Sequence, residues 1–354
     1  MKTGLAETGS TVLTEVQTVH EVPPISTPGA GAQAVRSAAL RFRLGTQADF
    51  AACASLLPPG FQASMPVRQR LLELWGQLLV GEARTFSIIE DLERPHPASI
   101  EGFGLSVFVT DRFVDEFCAS PRPYLPALFY ERMLAGDGVV LTPQQLADAN
   151  ATTGINILVL HFGLRDHDLS NPRTAQILGA GSAAFYFFHA GYRVRTMINE
   201  VYGAGPAAYM TAGGFRLIAD FQKLSPSSFA GVPPAQYPYL FMLRREWVEP
   251  GAVNPLTQIF LAPAPRIGFS ATERRVLERA LLNEADGSIA RSLGISADAV
   301  KKTWRNIHDR VGRNAPYVLP QSHPSSTGSR GQEKRRHLLD YLRSHMEEIR
   351  PTRP

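Results

Sequence analysis

The sequence of 354 residues carries four cationic side chains within ten positions near its end: Lys301, Lys302, Arg305 and Arg310. Cations held close to duplex DNA displace counterions from the phosphates and gain affinity, so this spacing suggests nucleic-acid binding. We predict phosphate contacts for Lys301, Arg305 and Arg310, and for Arg291 just upstream. A solvated helix face is the alternative explanation for each of them.

Base reading is expected from outward side chains early in the same segment: Asp298, Lys301, Lys302 and Arg305. Lysine can donate hydrogen bonds to O6 and N7 of guanine, and aspartate can accept one from N4 of cytosine. Both contacts require that the segment form a helix able to enter the major groove.

The apolar spacing of the segment indicates such a helix. Val300, Trp304, Ile307 and Val311 recur at i, i+4, i+7 and i+11, which predicts a helix over 297–313 with one buried face. The charged side chains then project from the remaining faces.

Capping signals predict two further helices before this one. Ser270 and Glu273 have the S-x-x-E form of a capping box, in which each side chain bonds the other residue's backbone amide. Gly294 supplies a left-handed residue after the second helix, and Ser296 can cap the third. Three helices with a glycine turn before a basic helix form a helix-turn-helix.

The segments FSATERRVLERAL and IARSLGISADAVKKTWRNIHDRVGR closely resemble the LuxR-type DNA-binding domain. The resemblance implies that the third helix reads duplex DNA in the major groove. Promoter-reading regions of sigma factors share the three-helix plan and remain an alternative. The positions that carry the resemblance are Glu273, Val276, Leu277, Ile289, Ala290, Leu293, Gly294, Ile295, Ser296, Val300, Lys301, Ile307 and Gly312.

The last predicted helix departs from the LuxR pattern. That family usually places a short dimerising helix directly after the recognition helix, whereas here a Pro/Ser-rich loop intervenes over 314–332. An amphipathic helix follows over 333–350, with Leu338, Leu342 and Met346 on one side. It can dimerise, dock on the rest of the chain, or lie along DNA phosphates.

The larger front segment shows a mixed α/β pattern. Its predicted elements follow the order β-α-α-β-β, then β-α-β-α-β, and include the almost wholly apolar strand GINILVLHFGL. This order resembles the GNAT-type acetyltransferase fold over residues 38–225. The best pieces are LRFRLGTQADFAACASLL and HAGYRVRTMINEVYGAGPAAYMTAGGFRLIADF.

The GNAT resemblance implies an acetyl-CoA site whose Gly-rich turn follows the strand ending near Leu164. The sequence instead reads RDHDLSNPRTAQILGAG, where Asp166 and Asp168 would repel phosphates and the small residues 179–181 come a helix length too late. We therefore predict that the chain is not an enzyme and has neither a catalytic residue nor a cofactor. The alternative is an acyl-CoA-dependent N-acetyltransferase with a C-terminal protein-interaction module.

Other candidate chemistry in the front segment is sparse. The loop with Asp166, His167 and Asp168 is expected to be solvated rather than to bind a metal. His161 and His189 lie in apolar runs and are expected to be core residues. The aromatic cluster over 185–192 is expected to be core, with the lining of an apolar ligand pocket as the alternative.

Composition limits the class of protein. Residues 266–354 hold 17 Lys/Arg and 10 Asp/Glu, whereas the whole chain has a net charge of +4, so the basic balance lies at the C-terminal end. No apolar run approaches the ~18 residues of a membrane span, and the N-terminus lacks the pattern of a secretory signal. The 2 cysteines are far apart, which fits a reducing cytoplasm.

We therefore predict a cytoplasmic transcription regulator with an α+β fold: a GNAT-like mixed α/β sensor domain followed by an all-α LuxR-type helix-turn-helix domain. Its expected partners are double-stranded DNA, a small-molecule effector and a second copy in a homodimer, without a membrane. The predicted parts are a disordered tail over 1–36, the GNAT-like domain over 37–249, a linker over 250–268, the DNA-binding domain over 269–313, a loop over 314–332 and the amphipathic helix over 333–350.

Overall fold

The computed structural model describes residues 39–168, 170–248, 259–260, 263–320 and 330–351. A seven-stranded sheet has the spatial order β1-β2-β3-β4-β5-β7-β6, and only the central pair β4 and β5 is parallel. The strands are β1 (Leu40–Leu44), β2 (Arg84–Asp91), β3 (Ile100–Val109), β4 (Ile155–Leu164), β5 (Val194–Tyr202), β6 (Arg216–Asp220) and β7 (Pro238–Arg244).

Eight helices accompany the sheet among the described residues. They are α1 (Phe50–Ala54), α2 (Met65–Val80), α3 (Asp111–Ala119), α4 (Leu125–Leu134), α5 (Pro143–Ala151), α6 (Pro172–His189), α7 (Ala204–Ala212) and α8 (Phe221–Leu224). Four more follow: α9 (Ala271–Leu281), α10 (Asp286–Leu293), α11 (Ala297–Asn314) and α12 (Arg330–Ser344).

The parallel pair at the centre follows from the local sequence. Strand β4 is buried along nearly its whole length, as expected of an apolar run covered on both faces. A parallel neighbour requires a crossover, and α6 provides it. This helix starts where the Asn171 side chain accepts a hydrogen bond from the amide of Arg173, with Pro172 in the first turn.

Helices cover both faces of the sheet. On β2, Phe86 packs on Trp75 of α2, whereas the neighbouring Thr85 bonds His189 of α6 on the other face. On β5, Met197 and Ile198 likewise join different apolar clusters. This alternation fixes which side chains of the central strands meet each layer of helices.

Strands β4 and β5 separate part-way along their length. Their pairing runs from Ile155 opposite Val194 to Val159 opposite Asn199 and stops there. Beyond this point β4 continues beside β3, and β5 continues beside β7. The sheet is therefore open between the two C-terminal ends of its parallel strands.

The C-terminal helices form around the predicted capping signals. The Ser270 hydroxyl accepts from the Glu273 amide, and Glu273 accepts from the Ser270 amide at 2.7 Å. Gly294 has φ 64° and ends α10, and Ser296 caps α11 by accepting from the amide of Ala299. The three predicted helices and their glycine turn are confirmed.

Helix α12 docks on α9 and α11 rather than projecting away. Its apolar residues belong to the same buried cluster as those of the three helices before it, and a short 3-10 turn over Met346–Ile349 continues the contact. Of the three roles left open for this helix, the structure shows docking on the chain's own helices. The buried residues concerned are Leu338, Leu339, Leu342, Met346 and Ile349.

The predicted fold class, a mixed α/β domain followed by helices, is confirmed. The elements appear in the order expected from the GNAT resemblance, with α3, α4, α5, α8 and β7 in addition. The predicted tail over 1–36 lies outside the described residues, as do 250–258 and 261–262 of the predicted linker; in the described part of the linker, Ile259, Phe260 and Ile267 are buried. No helix among the described residues has the length and apolar character that crossing a membrane requires.

Candidate functional site

A cavity of about 460 Å³ occupies the opening between β4 and β5. Its lining comes from both sides of the sheet. Pro58 and Pro59 lie in the loop between α1 and α2, and Phe185 and Phe188 lie on α6. Because most of the lining is apolar, the cavity suits a ligand with an apolar body and few polar atoms.

Glu200 is the carboxyl group of this cavity and lies one residue beyond the last pair of β4 with β5. Its Oε2 accepts from the amide of Leu125 at 3.2 Å, and its Oε1 accepts from the hydroxyl of Tyr202 at 2.8 Å. Burial raises the Glu200 pKa to about 7, while these hydrogen bonds act in the opposite direction. A carboxyl group that is half ionised near neutral pH can act as a general base.

Tyr202 shares this environment. Burial and the neighbouring Glu200 carboxylate raise the Tyr202 pKa well above its usual value, so the hydroxyl keeps its proton at neutral pH. Gly60 allows the close approach of this ring, because a Cβ there would meet the Tyr202 ring at 2.4 Å.

Two buried histidines also line the cavity. His189 has both ring nitrogens engaged: Nδ1 donates to the Phe185 carbonyl at 2.7 Å, and Nε2 accepts from the Thr85 hydroxyl at 3.1 Å. His161 bonds Tyr130 through Nε2 at 2.8 Å. Burial lowers the pKa of each histidine to about 3, so both are neutral at physiological pH.

The turn before α6 is filled by its own side chains. Asp166 accepts from the amide of Asp168, Asp168 accepts from the amide of Ser170, and Asn171 accepts from the amide of Arg173. The Asp168 amide, together with the side chains of Asn171 and Thr174, also lowers the Asp166 pKa by hydrogen bonding to its carboxylate. The amides of Asp168, Ser170 and Arg173 are therefore already hydrogen-bonded and are not free to bind a pyrophosphate at this helix N-terminus.

The predicted DNA-contacting side chains fall into two groups. Asp298, Lys301, Lys302 and Arg305 are exposed on α11, with Lys301 bonded to Asp298 at 3.2 Å. Arg291 is also exposed, on α10.

Arg310 lies apart from these residues. Its Nε donates to Glu273 at 2.9 Å, and the side chain is only 31% exposed. Glu273 also completes the capping box of α9, so Arg310 ties α11 to the start of α9. On the opposite side of α11, Arg335 of α12 stacks over Trp304 at 4.2 Å and pairs with Asp286 at 2.7 Å.

Sequence reasoning missed Glu200 and Tyr202. A signal for both was present, because Ile198, Glu200 and Tyr202 occupy alternate positions of one strand and so share its face. Acidic residues are rarely buried, so an acidic residue on the same strand face as the core residue Ile198 indicates a functional site.

The aromatic cluster over 185–192 has both of its expected roles. Phe185 and Phe188 line the cavity, whereas Phe187 packs on Phe42 with ring centroids 5.5 Å apart.

Comparison with known proteins adds similarity of fold. No protein-family model matches the chain, and no curated protein does. Solved structures that match include FeeM, an N-acyl amino acid synthase from uncultured soil microbes, at 12% identity over 60% of this chain and 93% of that one, with a TM-score of 0.32. NAA60 of Arabidopsis thaliana in complex with acetyl-CoA matches at 13% identity, over 58% and 98% of the two chains, with a TM-score of 0.32. SpeG, a spermidine N-acetyltransferase from Vibrio cholerae, matches at 10% identity, over 59% and 96%, also with a TM-score of 0.32.

These matches correct one prediction. We expected a chain that is not an enzyme, and the comparison contradicts that prediction: the similar structures are those of an N-acyl amino acid synthase and of N-acetyltransferases. Similarity this low transfers no substrate or reaction, so the chemistry must be argued from the cavity itself. The chain is therefore described by its fold: a mixed α/β domain with a seven-stranded sheet, followed by C-terminal helices.

Proposed function

We propose that the α/β domain is an N-acyltransferase that moves an apolar acyl group from a thioester to an amine. The observation that carries this proposal is Glu200: a buried carboxyl group with a pKa of about 7, on the wall of an apolar cavity where two parallel strands separate. Buried titratable groups tuned toward neutrality, in a cleft, are typical of catalytic sites.

The chemistry follows from that arrangement. Ionised Glu200 takes a proton from the ammonium form of the acceptor, and the free amine attacks the thioester carbonyl. The tetrahedral intermediate collapses, the C–S bond breaks, and the leaving thiolate takes up the proton that the attacking nitrogen loses as the amide forms. An acyl thioester and an amine thus become an amide and a thiol, with no oxidant or reductant required.

The size of the cavity indicates the acyl group. A volume of 460 Å³ equals about fifteen times the ~30 Å³ that one molecule occupies in liquid water, far more than a two-carbon acetyl group fills. The apolar rings of Phe185, Phe188 and Phe215 favour a longer hydrocarbon chain, because its burial is stabilised by about 25 cal/mol per Å² of apolar surface. The donor is therefore proposed as a medium- or long-chain acyl thioester.

The test follows thiol release from S-decanoyl-N-acetylcysteamine, with benzylamine as the acceptor, because this amine is an ammonium ion at neutral pH and must lose a proton before it can attack. The protein is expected to accelerate release, and Glu200→Gln is expected to reduce that rate by about 10² or more, the usual contribution of a general base. Glu131→Gln, on the exposed surface of α4, is the matched control and is expected to behave like the parent protein. Equal rates for Glu200→Gln and the parent would remove the proposed base.

The C-terminal helices support a second candidate function, binding of duplex DNA. The supporting observation is the preorganised turn at Gly294 followed by α11, which exposes Lys301, Lys302 and Arg305 on one helix. Asp298, which pairs with Lys301 at 3.2 Å, and the exposed Arg291 are the remaining contacts proposed, whereas Arg310 is engaged with Glu273. DNA binding also agrees with the cytoplasmic location expected from the sequence.

Fluorescence anisotropy with duplex DNA from the region upstream of the protein's own gene tests this function. Binding is expected to weaken as salt rises, and Lys301→Ala is expected to weaken it further and to reduce the salt slope by about 1. Arg343→Ala is the control, because Arg343 lies on the exposed side of α12. Salt-insensitive binding, or none, would exclude this role.

The expected homodimer needs a surface other than α12. The apolar residues that would pair two copies, Leu338 and Leu342, are fully buried within the chain. Dimerisation and the small-molecule effector thus remain proposals, and the acyl group of the cavity is the natural candidate for the effector.

A further inference from the structure

Three buried side chains form a hydrogen-bonded row that ends at the cavity. The indole Nε1 of Trp75 donates to the hydroxyl of Tyr130 at 2.8 Å, and this hydroxyl contacts Nε2 of His161 at 2.8 Å. Trp75 and Tyr130 are 0% exposed, and His161 is 3% exposed. Of the three, His161 lines the cavity.

The row determines which nitrogen of His161 carries the proton. An indole can only donate, so the Tyr130 oxygen accepts from Trp75 and its own proton must go to another acceptor. His161 Nε2 is in place to accept it, and the opposite assignment would leave the Tyr130 proton without a partner in the core, which is costly. A neutral imidazole whose Nε2 accepts carries its proton on Nδ1.

The Nδ1–H of His161 has access to the cavity. Within the described residues, the hydrogen bonds of His161 involve only Nε2. Some described side-chain atoms are fully enclosed by protein and lack a hydrogen-bond partner, and His161 Nδ1 is not among them. Since Nδ1 has no partner, it is therefore not fully enclosed. The rings packed around His161, those of Phe61 and Phe103 among them, offer no acceptor of comparable strength. This donor faces the cavity and has no protein partner, so it is available to a ligand.

We propose that the Nδ1–H of His161 binds the carbonyl oxygen of the acyl group in the cavity, and that Tyr130 and Trp75 are positioning residues that fix this donor. The inference rests on the proposed acyltransferase function and identifies how the site distinguishes a thioester from an alkyl chain. In the reaction, the same donor would stabilise the negative charge that develops on this oxygen when the amine attacks.

A matched pair of ligands tests the inference. S-decanoyl-N-acetylcysteamine has the carbonyl, and S-decyl-N-acetylcysteamine is the thioether that lacks it. The intact protein is expected to bind the thioester about tenfold more tightly, because the thioether leaves the donor unpaired. His161→Phe is expected to bind both ligands equally, and Tyr130→Phe, which frees the imidazole to change tautomer, is expected to reduce the preference.

The outcomes separate this inference from the proposed function. Equal binding of both ligands by the intact protein overturns the role of His161 and leaves the acyl cavity standing. Binding of neither ligand overturns the acyltransferase proposal, and this inference with it.

A direct measurement covers the case in which His161→Phe does not fold. Long-range ¹⁵N–¹H NMR of the ¹⁵N-labelled intact protein reports the tautomer of each histidine, and Tyr130→Phe identifies the signal of His161. That signal is expected to show a neutral ring protonated on Nδ1 down to about pH 5, well below the ordinary histidine pKa of about 6.5. A proton on Nε2, or a charged ring, would overturn the assignment.

Discussion

Replacing Glu200 by Gln is expected to stabilise the protein at alkaline pH while removing its activity. The folded-state pKa of about 7 lies above the ordinary value of 4.5, so the folded protein retains this proton over a range where the unfolded chain has lost it. The stabilisation contributed by Glu200 is therefore fully present below pH 4.5 and is lost as the pH rises through 7. Gln cannot ionise and avoids this loss.

The size of the effect follows from the two pKa values. A difference of about 2.5 units at 1.36 kcal/mol per unit gives about 3 kcal/mol of lost stability above neutral pH. Gln retains one oxygen for the Leu125 amide and can donate to Tyr202, but the altered pairing costs about 1 kcal/mol. The net gain is about 2 kcal/mol at about pH 8, and the variant is about 1 kcal/mol less stable at low pH.

Urea unfolding followed by circular dichroism, over a series from about pH 4.5 to about pH 8, measures this difference. The difference in unfolding free energy between Glu200→Gln and the parent is expected to change sign across the series. A difference that stays constant with pH would refute the argument, because it would mean that Glu200 titrates normally in the folded protein.

Three further substitutions test separate parts of the structure. Gly294→Ala is expected to cost about 1 kcal/mol, since φ 64° is unfavourable for alanine, and thermal unfolding compared with Gly312→Ala, within α11, checks it. Arg350→Ala is expected to cost about 2 kcal/mol, because Arg350 caps the carbonyls of Phe187 and Ala190 at the end of α6; a loss as small as that of the exposed Arg343→Ala would contradict this role. Tyr202→Phe removes a hydrogen bond that lowers the Glu200 pKa, so the acid limb of the pH–rate profile for thiol release is expected to move to higher pH; an unmoved limb would show that this bond does not tune the base.

Local signals predicted the elements that they directly encode. The capping box at Ser270, the glycine at position 294 and the apolar period of α11 are each set within a few residues, and each is found in the structure. The continuous apolar run of β4 likewise indicated a central strand. Such patterns can be recognised in the sequence because a capping residue, or a regular spacing of apolar residues, favours one local conformation without help from distant residues.

The site depends on contacts between distant residues, which the sequence does not encode locally. Glu200 takes its environment from the Leu125 amide, 75 positions away, and from the opening between β4 and β5. Arg350 reaches carbonyls about 160 residues earlier. The row from Trp75 to His161 likewise joins three elements, and no local period signals it.

The prediction that the chain is not an enzyme relied on one motif. The missing phosphate-binding turn concerns only how a nucleotide-bearing donor is held, and in the structure that turn is filled by Asp166, Asp168 and Asn171. Transfer chemistry needs a base and a space for the acyl group, and in the proposed function these are Glu200 and the cavity, which lie away from that turn. Absence of one binding motif is therefore weak evidence against catalysis.

The pH dependence of thiol release from S-decanoyl-N-acetylcysteamine tests the central claim most directly. We expect the rate to rise with pH through an apparent pKa of about 7 and then level off, and we expect Glu200→Gln to remove both the rate enhancement and this limb. Release no faster than the spontaneous reaction, or a profile that Glu200→Gln leaves unchanged, would contradict the account.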